Sequence, residues 1–513
     1  MLVPNALITA AVVPLALQGE PTGKLLKDDV AYRNRFGESV RMSGTLAVLG
    51  AGRDDDLGDN AGAAYVFDTV SGEQVRKLFG NDTSAGDGFG DSVGIDGNTL
   101  IVGSPGDDGN GSGSGSAYLL DVVTGRQIAK LLPADGSTAD LFGWSAAIGG
   151  GTAIVGAPYE DEAGPSAGAA YLFDTTTGAQ LAKLVASDGA AFDYFGTSVG
   201  IGNGIAVVGA SSDDDHGPFS GSAYLFDAAT GAQIAKLHAD DAAADDRFGG
   251  AVAIRGTVVA IGAHGDDDNG EDSGSVYVFD AATVSQVAKL LALDGAAGDY
   301  LGISVALDGT TVVAGAWGDD DHGDRSGSAY VFDATTRVQI AKLVAGDAWD
   351  GDLFGYSVAI AGTSVLVGNP GQFVGLDRGA AYGFCLDCQG ASYCLANPTS
   401  RGAPARMCSC GSTSIAANRL RISAAPVPLQ TYLFFHSDTR IQVPFGDGFL
   451  CIGGSITRLN PPELVRGYVA GRKVDLPSIA VPGTYYFQCW FRDVDAGGAG
   501  FNLSDGLEVT LVP

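Results

Sequence analysis

Ala251-Val252-Ala253-Ile254, Val258-Val259-Ala260-Ile261, Ser275-Val276-Tyr277-Val278-Phe279 and Gln286-Val287-Ala288-Lys289-Leu290 are four short apolar runs in close succession. Each is rich in β-branched or small apolar side chains and is bounded by Gly, Asp, Asn or Thr. That is the pattern of strands joined by tight turns. No segment of helical length carries a period of about 3.6 residues between the turn signals. The stretch reads as a four-stranded antiparallel unit.

The unit recurs along the chain. Phe-Gly stands at Phe36, Phe89, Phe142, Phe195, Phe248 and Phe354, with Leu301 at the sixth place, and the interval is always 53 residues. A glycine closes the second run at Gly50, Gly103, Gly156, Gly209, Gly262, Gly315 and Gly368. A tyrosine marks the third run from Tyr65 to Tyr330 at the same interval, with Tyr382 one residue early. Four-stranded units of this length stack radially, because a single sheet cannot cover both of its own faces. The expected fold is all-β: a seven-bladed β-propeller. The seventh copy runs into Cys385 before its fourth strand, while Lys24-Leu25-Leu26 matches the fourth-strand Lys-Leu of Lys77, Lys130, Lys183, Lys236, Lys289 and Lys342. The N-terminal segment is therefore expected to supply the missing outer strand and close the ring.

Composition divides the chain further. The net charge is −31, which argues against nucleic acid or an anionic membrane surface as partner. All of that net negative charge precedes Cys385, and all seven cysteines lie at or after it. Residues 1–18 hold an apolar run, Ala6 to Leu17, that reads as a signal peptide without its usual basic start. The expected organisation is a signal peptide at 1–18, the propeller at 19–384 and a cysteine-containing domain at 385–513. That last part alternates apolar and polar residues between Gly/Pro turns, as in Leu507-Glu508-Val509-Thr510-Leu511, and reads as β-sandwich-like. Cys385/Cys388 and Cys408/Cys410 read as disulfide cysteines of an exported protein rather than zinc ligands, and an odd total leaves at least one thiol unpaired or bonded to another chain. No later stretch has the ~20 apolar residues of a membrane span. Secretion or a cell-surface or periplasmic location follows.

Phe-Gly-x-Ser-Val (Phe36 to Val40, Phe89 to Val93, Phe195 to Val199, Phe354 to Val358), Gly156-Ala157-Pro158 and Tyr-x-Phe (Tyr65 to Phe67, Tyr224 to Phe226) resemble the FG-GAP repeats found in the head of integrin alpha chains. The resemblance covers about Gly23 to Phe384 and implies an extracellular recognition head. Calcium-binding members carry Asp-x-Asp-x-Asp-Gly between the first and second strands. Here that connection is as short as Asp96-Gly97-Asn98-Thr99, so the motif is not carried over. The ending, from Trp490-Phe491-Arg492-Asp493 to Leu507-Glu508, resembles a C-terminal module of exported bacterial proteins.

The acids sit elsewhere. The connection after the second strand carries Asp54-Asp55-Asp56, Asp107-Asp108, Glu160-Asp161-Glu162, Asp213-Asp214-Asp215, Asp266-Asp267-Asp268 and Asp319-Asp320-Asp321. The connection before Phe-Gly carries two aspartate columns, one from Asp29 to Asp347 and one from Asp87 to Asp352. In an antiparallel blade both connections emerge on the same side. Repetition across blades suits turn capping for the columns. The last three triplets, Asp213 to Asp215, Asp266 to Asp268 and Asp319 to Asp321, are the candidate Ca²⁺ ligands, although they lack EF-hand spacing.

No catalytic constellation stands out. The five histidines form no metal motif, and the Gly-x-Ser-x-Gly matches at Gly90 and Gly196 are repeat strands, not nucleophile elbows. The expected function is a non-catalytic recognition or adhesion protein that meets a protein or cell-surface ligand on its acidic face. A glycan-binding propeller would want aromatic platforms, for which Tyr159, Phe219, Trp317 and Trp349 are candidates. An extracellular polysaccharide-processing enzyme would want a polar cluster that breaks the repeat.

Overall fold

The computed structural model describes residues 17–19, 21, 23–29, 34–371, 379–386, 391–392, 406–410, 420–425, 430–445, 448–464, 470–474, 482–493 and 501–513. Each repeat is one antiparallel sheet whose strands pair in chain order. Blade four shows the plan: Ser198–Gly202 is innermost, followed by Ile205–Ala210, Ser222–Asp227 and the outer Gln233–Leu237. The two middle strands are almost wholly buried, as strands covered on both faces must be. The apolar core is accordingly divided among the blade interfaces. Between blades four and five, Val207, Leu225, Phe248, Ile261 and Tyr277 form one such cluster.

The repeated residues are the parts that join neighbouring blades. Phe248 is fully buried edge-on to Tyr277, with ring centroids 5.4 Å apart. Burial of such a ring contributes about 1.5–3 kcal/mol. The second-strand glycine lets the next blade approach: a Cβ on Gly209 would lie 2.0 Å from the Gly249 carbonyl oxygen. That same carbonyl accepts a hydrogen bond from Ser198 Oγ at 2.7 Å. The pattern is repeated by Ser39, Ser92, Ser145 and Ser304, each bonding the Phe-Gly glycine one blade on. Blade five carries Ala251 at the serine position.

Ring closure follows the same chemistry. Gly23–Leu25 pairs antiparallel with Ala380–Cys385 as the outer strand of blade seven, with Lys24 opposite Tyr382. Ser357 Oγ donates to Gly37 O at 2.7 Å, which joins blade seven to blade one. A further strand, Leu17–Gly19, lies parallel to Val338–Leu343 and widens blade six to five strands, a pairing the repeat pattern did not announce. The apolar run of the expected signal peptide, up to residue 16, lies outside the described residues.

After Cys385 the strands form additional sheets. Thr431–Ser437 and Gly483–Arg492 are central in the largest, and Arg406–Cys410, Arg421–Ala425 and Ala470–Lys473 form a second. Ile422 and Ala424 of the second sheet share one core with Phe434, Phe487 and Phe491 of the first, which is the packing of a sandwich. Cys385 and Cys451 each take part in a disulfide, and Cys489 is a free thiol buried in that core. Cys388 and Cys394 lie outside the described residues. Among the described residues no helix is long and apolar enough to cross a membrane.

Candidate binding face

The connection between the second and third strands is bound to the linker that enters the next blade. In blade four, Phe248 N bonds Ser220 O at 3.0 Å and Arg247 N bonds Phe219 O at 3.0 Å. Both sets of loops therefore form one continuous face, as strand direction requires.

On that face many of the acids meet a lysine. Lys236 Nζ on the outer strand of blade four contacts Asp188 at 2.8 Å, Asp213 at 2.8 Å and Asp215 at 2.6 Å. Tyr224 Oη donates to Asp213 at 3.0 Å and fixes the buried carboxylate from below. Lys289 makes the same three contacts with Asp241, Asp266 and Asp268, and Lys342 with Asp294, Asp319 and Asp321. Lys77, Lys130 and Lys183 repeat the node in blades one to three. In blade seven Lys24 of the closing strand bonds Asp347, which also accepts from Tyr382 Oη. Burial alone would lower the Lys236 pKa, but its hydrogen bonds with Asp188, Asp213 and Asp215 hold it above the ordinary value. Asp188 in turn is held below the usual carboxylate range: burial raises it, and Lys236 outweighs that.

This locates the nine candidate cation ligands. Asp213, Asp215, Asp266, Asp268, Asp319 and Asp321 surround an ammonium group that the chain itself provides. Asp267 and Asp320 are exposed and accept backbone N–H bonds from Asp272 and Arg325, five residues on, while Asp214 is exposed beside them. Asp135, Glu160 and Glu162 converge within 4.8 Å of one another, close enough to hold a metal, and all three contact Lys183. The second aspartate column caps turns: Asp193, Asp246 and Asp299 each accept the backbone N–H three residues earlier. The first column differs, bonding lysine and tyrosine side chains instead, because the outer strand delivers the lysine to within reach of the linker.

Nearer the axis, where the inner strands begin, the blades stop resembling one another. Trp144, Tyr159 and Tyr194 form a chain of edge contacts at 6.1 and 5.2 Å. Tyr300 stacks on Trp317 at 4.9 Å with planes only 4° apart, and Arg325 lies over the same indole. Arg247 covers Phe219. Blades one and two contribute polar groups: Arg35 bonds Glu38 at 2.6 Å, and Asp91 fills the space left by Gly52. Burial, then the charge of Glu38, pushes Asp91 up to about 7. Glu38 is raised by burial as well. A carboxyl that holds its proton near neutrality beside a second carboxyl can donate or accept a proton. The sequence patterns marked Tyr159, Phe219 and Trp317 singly and missed this cluster. Its signal was the most variable position inside Phe-Gly-x-Ser: Glu38, Asp91, Trp144, Thr197, Gly250, Ile303 and Tyr356.

The backbone holds this collar under strain. The residue before Phe-Gly has a positive φ in each blade, including Arg35 (55°), Leu141 (53°), Tyr194 (53°), Arg247 (57°) and Tyr300 (58°). Only blade two has glycine there, at Gly88. A left-handed conformation costs a non-glycine residue about 1–2 kcal/mol.

The fold and its joints thus define a seven-bladed propeller with one elaborated loop face. The FG-GAP repeat matches residues 21–67, 73–120, 126–173, 179–226, 232–279, 284–332 and 338–384, and the chain belongs to that family. No curated protein matches the chain significantly.

Proposed function

We propose that the protein is an exported, non-catalytic recognition protein whose ligand, a protein or cell-surface molecule, docks on the collar of the loop face. The observation that supports this is the gathering of Trp144, Tyr159, Tyr194, Tyr300 and Trp317 where the repeat varies, while many of the repeated acids are paired with a lysine of their own blade. Aromatic and arginine side chains are the usual anchors of interfaces. Large side chains held at positive φ are the strain expected of a binding site. A carbohydrate ligand is the second reading, favoured by the parallel Tyr300–Trp317 pair and by Trp144 and Trp349, which are 44% and 75% exposed. The test is binding of the full chain to arrays of extracellular proteins and glycans, compared with Tyr159→Ala/Trp317→Ala. A ligand lost by at least about tenfold in the variant supports the reading, and the array that yields it separates the two. Ligands retained equally by the variant would remove the collar from function.

A further inference from the structure

The propeller axis is hollow, and the inner strands wall a cavity of about 910 Å³ that reaches the turns on the side opposite the loop face. Its wall follows a rule. One apolar residue recurs every 53 residues along the inner strands, as Met42, Ile95, Ile148, Ile201, Ile254, Leu307 and Ile360, and all line the cavity. The residue before it is Gly94, Ala147, Gly200, Ala253, Ala306 or Ala359 in six blades. Small residues are needed there because the next blade is close: a Cβ on Gly94 would meet Ala147 Cα at 3.2 Å. Blade one breaks the rule with Arg41, whose side chain lines the same cavity.

Arg41 has no carboxylate partner among the described residues. Its hydrogen bond runs from Nη1 to the carbonyl of its neighbour Val40, at 2.9 Å. The acids at the cavity mouth are engaged elsewhere: Asp96 accepts from Gly150 N, and Asp308 from Gly362 N and Arg255. Desolvation lowers the Arg41 pKa, yet a guanidinium stays protonated. Arg41 thus presents a permanent charge to a cavity walled by aliphatic inner-strand residues and polar turns, with no carboxylate of the described residues paired to it, and an oxyanion is its natural partner. A position where one blade departs from an otherwise uniform structural rule is where function is expected.

We propose that the axial cavity is a binding site for a small organic anion, its carboxylate or phosphate group paired with Arg41 and its apolar body against the Ile95–Ile201 wall. The guanidinium fork fits either oxyanion through two parallel hydrogen bonds. The cavity volume is in the range of small-ligand pockets. This site faces away from the collar and stands independently of the ligand proposed there.

The test is titration calorimetry of the full chain with octanoate, octyl phosphate, inorganic phosphate and, as a neutral control, octanamide. Arg41→Ala is the matched variant, and it should fold because alanine is the residue of four other blades. The expected result is binding of octanoate or octyl phosphate at least about tenfold tighter than octanamide, lost by a similar factor in Arg41→Ala. Preference between the two octyl probes, and competition by inorganic phosphate, identifies the head group. Absence of binding by both anionic probes overturns the proposal. So does binding that octanamide matches or that Arg41→Ala retains.

Discussion

The lysine nodes and the axial collar share one face of the propeller and follow opposite rules. At the nodes, five side chains from four segments recur with little change, and each carboxylate finds a partner inside its own blade. At the collar, equivalent positions hold glutamate, aspartate, tryptophan, threonine, glycine, isoleucine and tyrosine. Repetition marks what the ring needs for its own cohesion, and divergence marks what it offers to others. A strongly acidic face is thus two things: a structural rim in which much of the charge is already neutralised, and an inner region whose aromatic and polar groups are displayed at a cost in backbone strain.

The largest effect that separates the two regions should come from a node lysine. In Lys236→Met the side-chain stem still packs, but Asp213, only 3% exposed, loses its ammonium partner. Breaking a buried pair by removing one member costs about 3–5 kcal/mol. Asp214→Ala, one residue from Asp213 but exposed, should cost no more than about 0.5 kcal/mol. Denaturant midpoints of the two variants measure the difference. A loss below about 1 kcal/mol in Lys236→Met would mean that the node is solvated charge rather than a joint.

The pH dependence sharpens the same division. Burial raises Asp193, Asp246 and Asp299 to about 6, against backbone N–H bonds that lower them. For a carboxyl raised on folding, the stabilising contribution is complete below its unfolded pKa of about 3.9 and is lost as pH rises through the folded value. The lysine-paired Asp188 and Asp241 are lowered, so their contribution is present above about 4 and lost as pH falls through their folded values. Stability should therefore peak between about pH 4 and 5 and decline toward pH 7, by about 1–2 kcal/mol for each raised carboxyl. Asp193→Asn keeps an oxygen acceptor for Ala190 N and should flatten part of that decline, as read from Tm at pH 5 and pH 7. An unchanged slope would show that these caps ionise as ordinary surface acids.

The architecture was legible because its determinants are local and repeated. Phe-Gly, the second-strand glycine and the tyrosine each report a contact made in every blade, and Lys24-Leu25 carried enough of the outer-strand motif to reveal closure. The second aspartate column could be read as turn caps for the same reason. The first column could not, because its partner lies in another segment: Asp188 meets Lys236 only when the outer strand folds back beside the linker. The lysine was visible as a strand marker, yet its charge was not set against the acids in phase with it. The collar was hidden for a different reason. Trp144, Tyr159 and Tyr194 come from three separate connections, and only radial stacking brings them together. Arg41 was silent until the inner strands were seen to wall a cavity.

The smallest effect is the most direct probe of strain at the collar. Arg247 sits at φ 57°, where blade two has Gly88. In Arg247→Gly, relief of about 1–2 kcal/mol of left-handed strain is opposed by the greater unfolded freedom of glycine. Loss of the cation–π contact with Phe219 removes a further 0.5–1 kcal/mol or so at an exposed site. The net change should lie within about 0.5 kcal/mol of zero, far from the cost of opening a node. A second readout tests whether the substitution acts locally. Burial, then the charge of Arg247, depresses His264 to about 4, so removing the arginine should raise the histidine pKa while burial keeps it below the ordinary value. The histidine ring resonances followed by NMR across that range would report it. A near-neutral stability change with a shifted histidine would mean that the collar arginine serves the surface rather than the fold. A loss approaching that of Lys236→Met would place Arg247 among the structural joints and remove the distinction between the two regions.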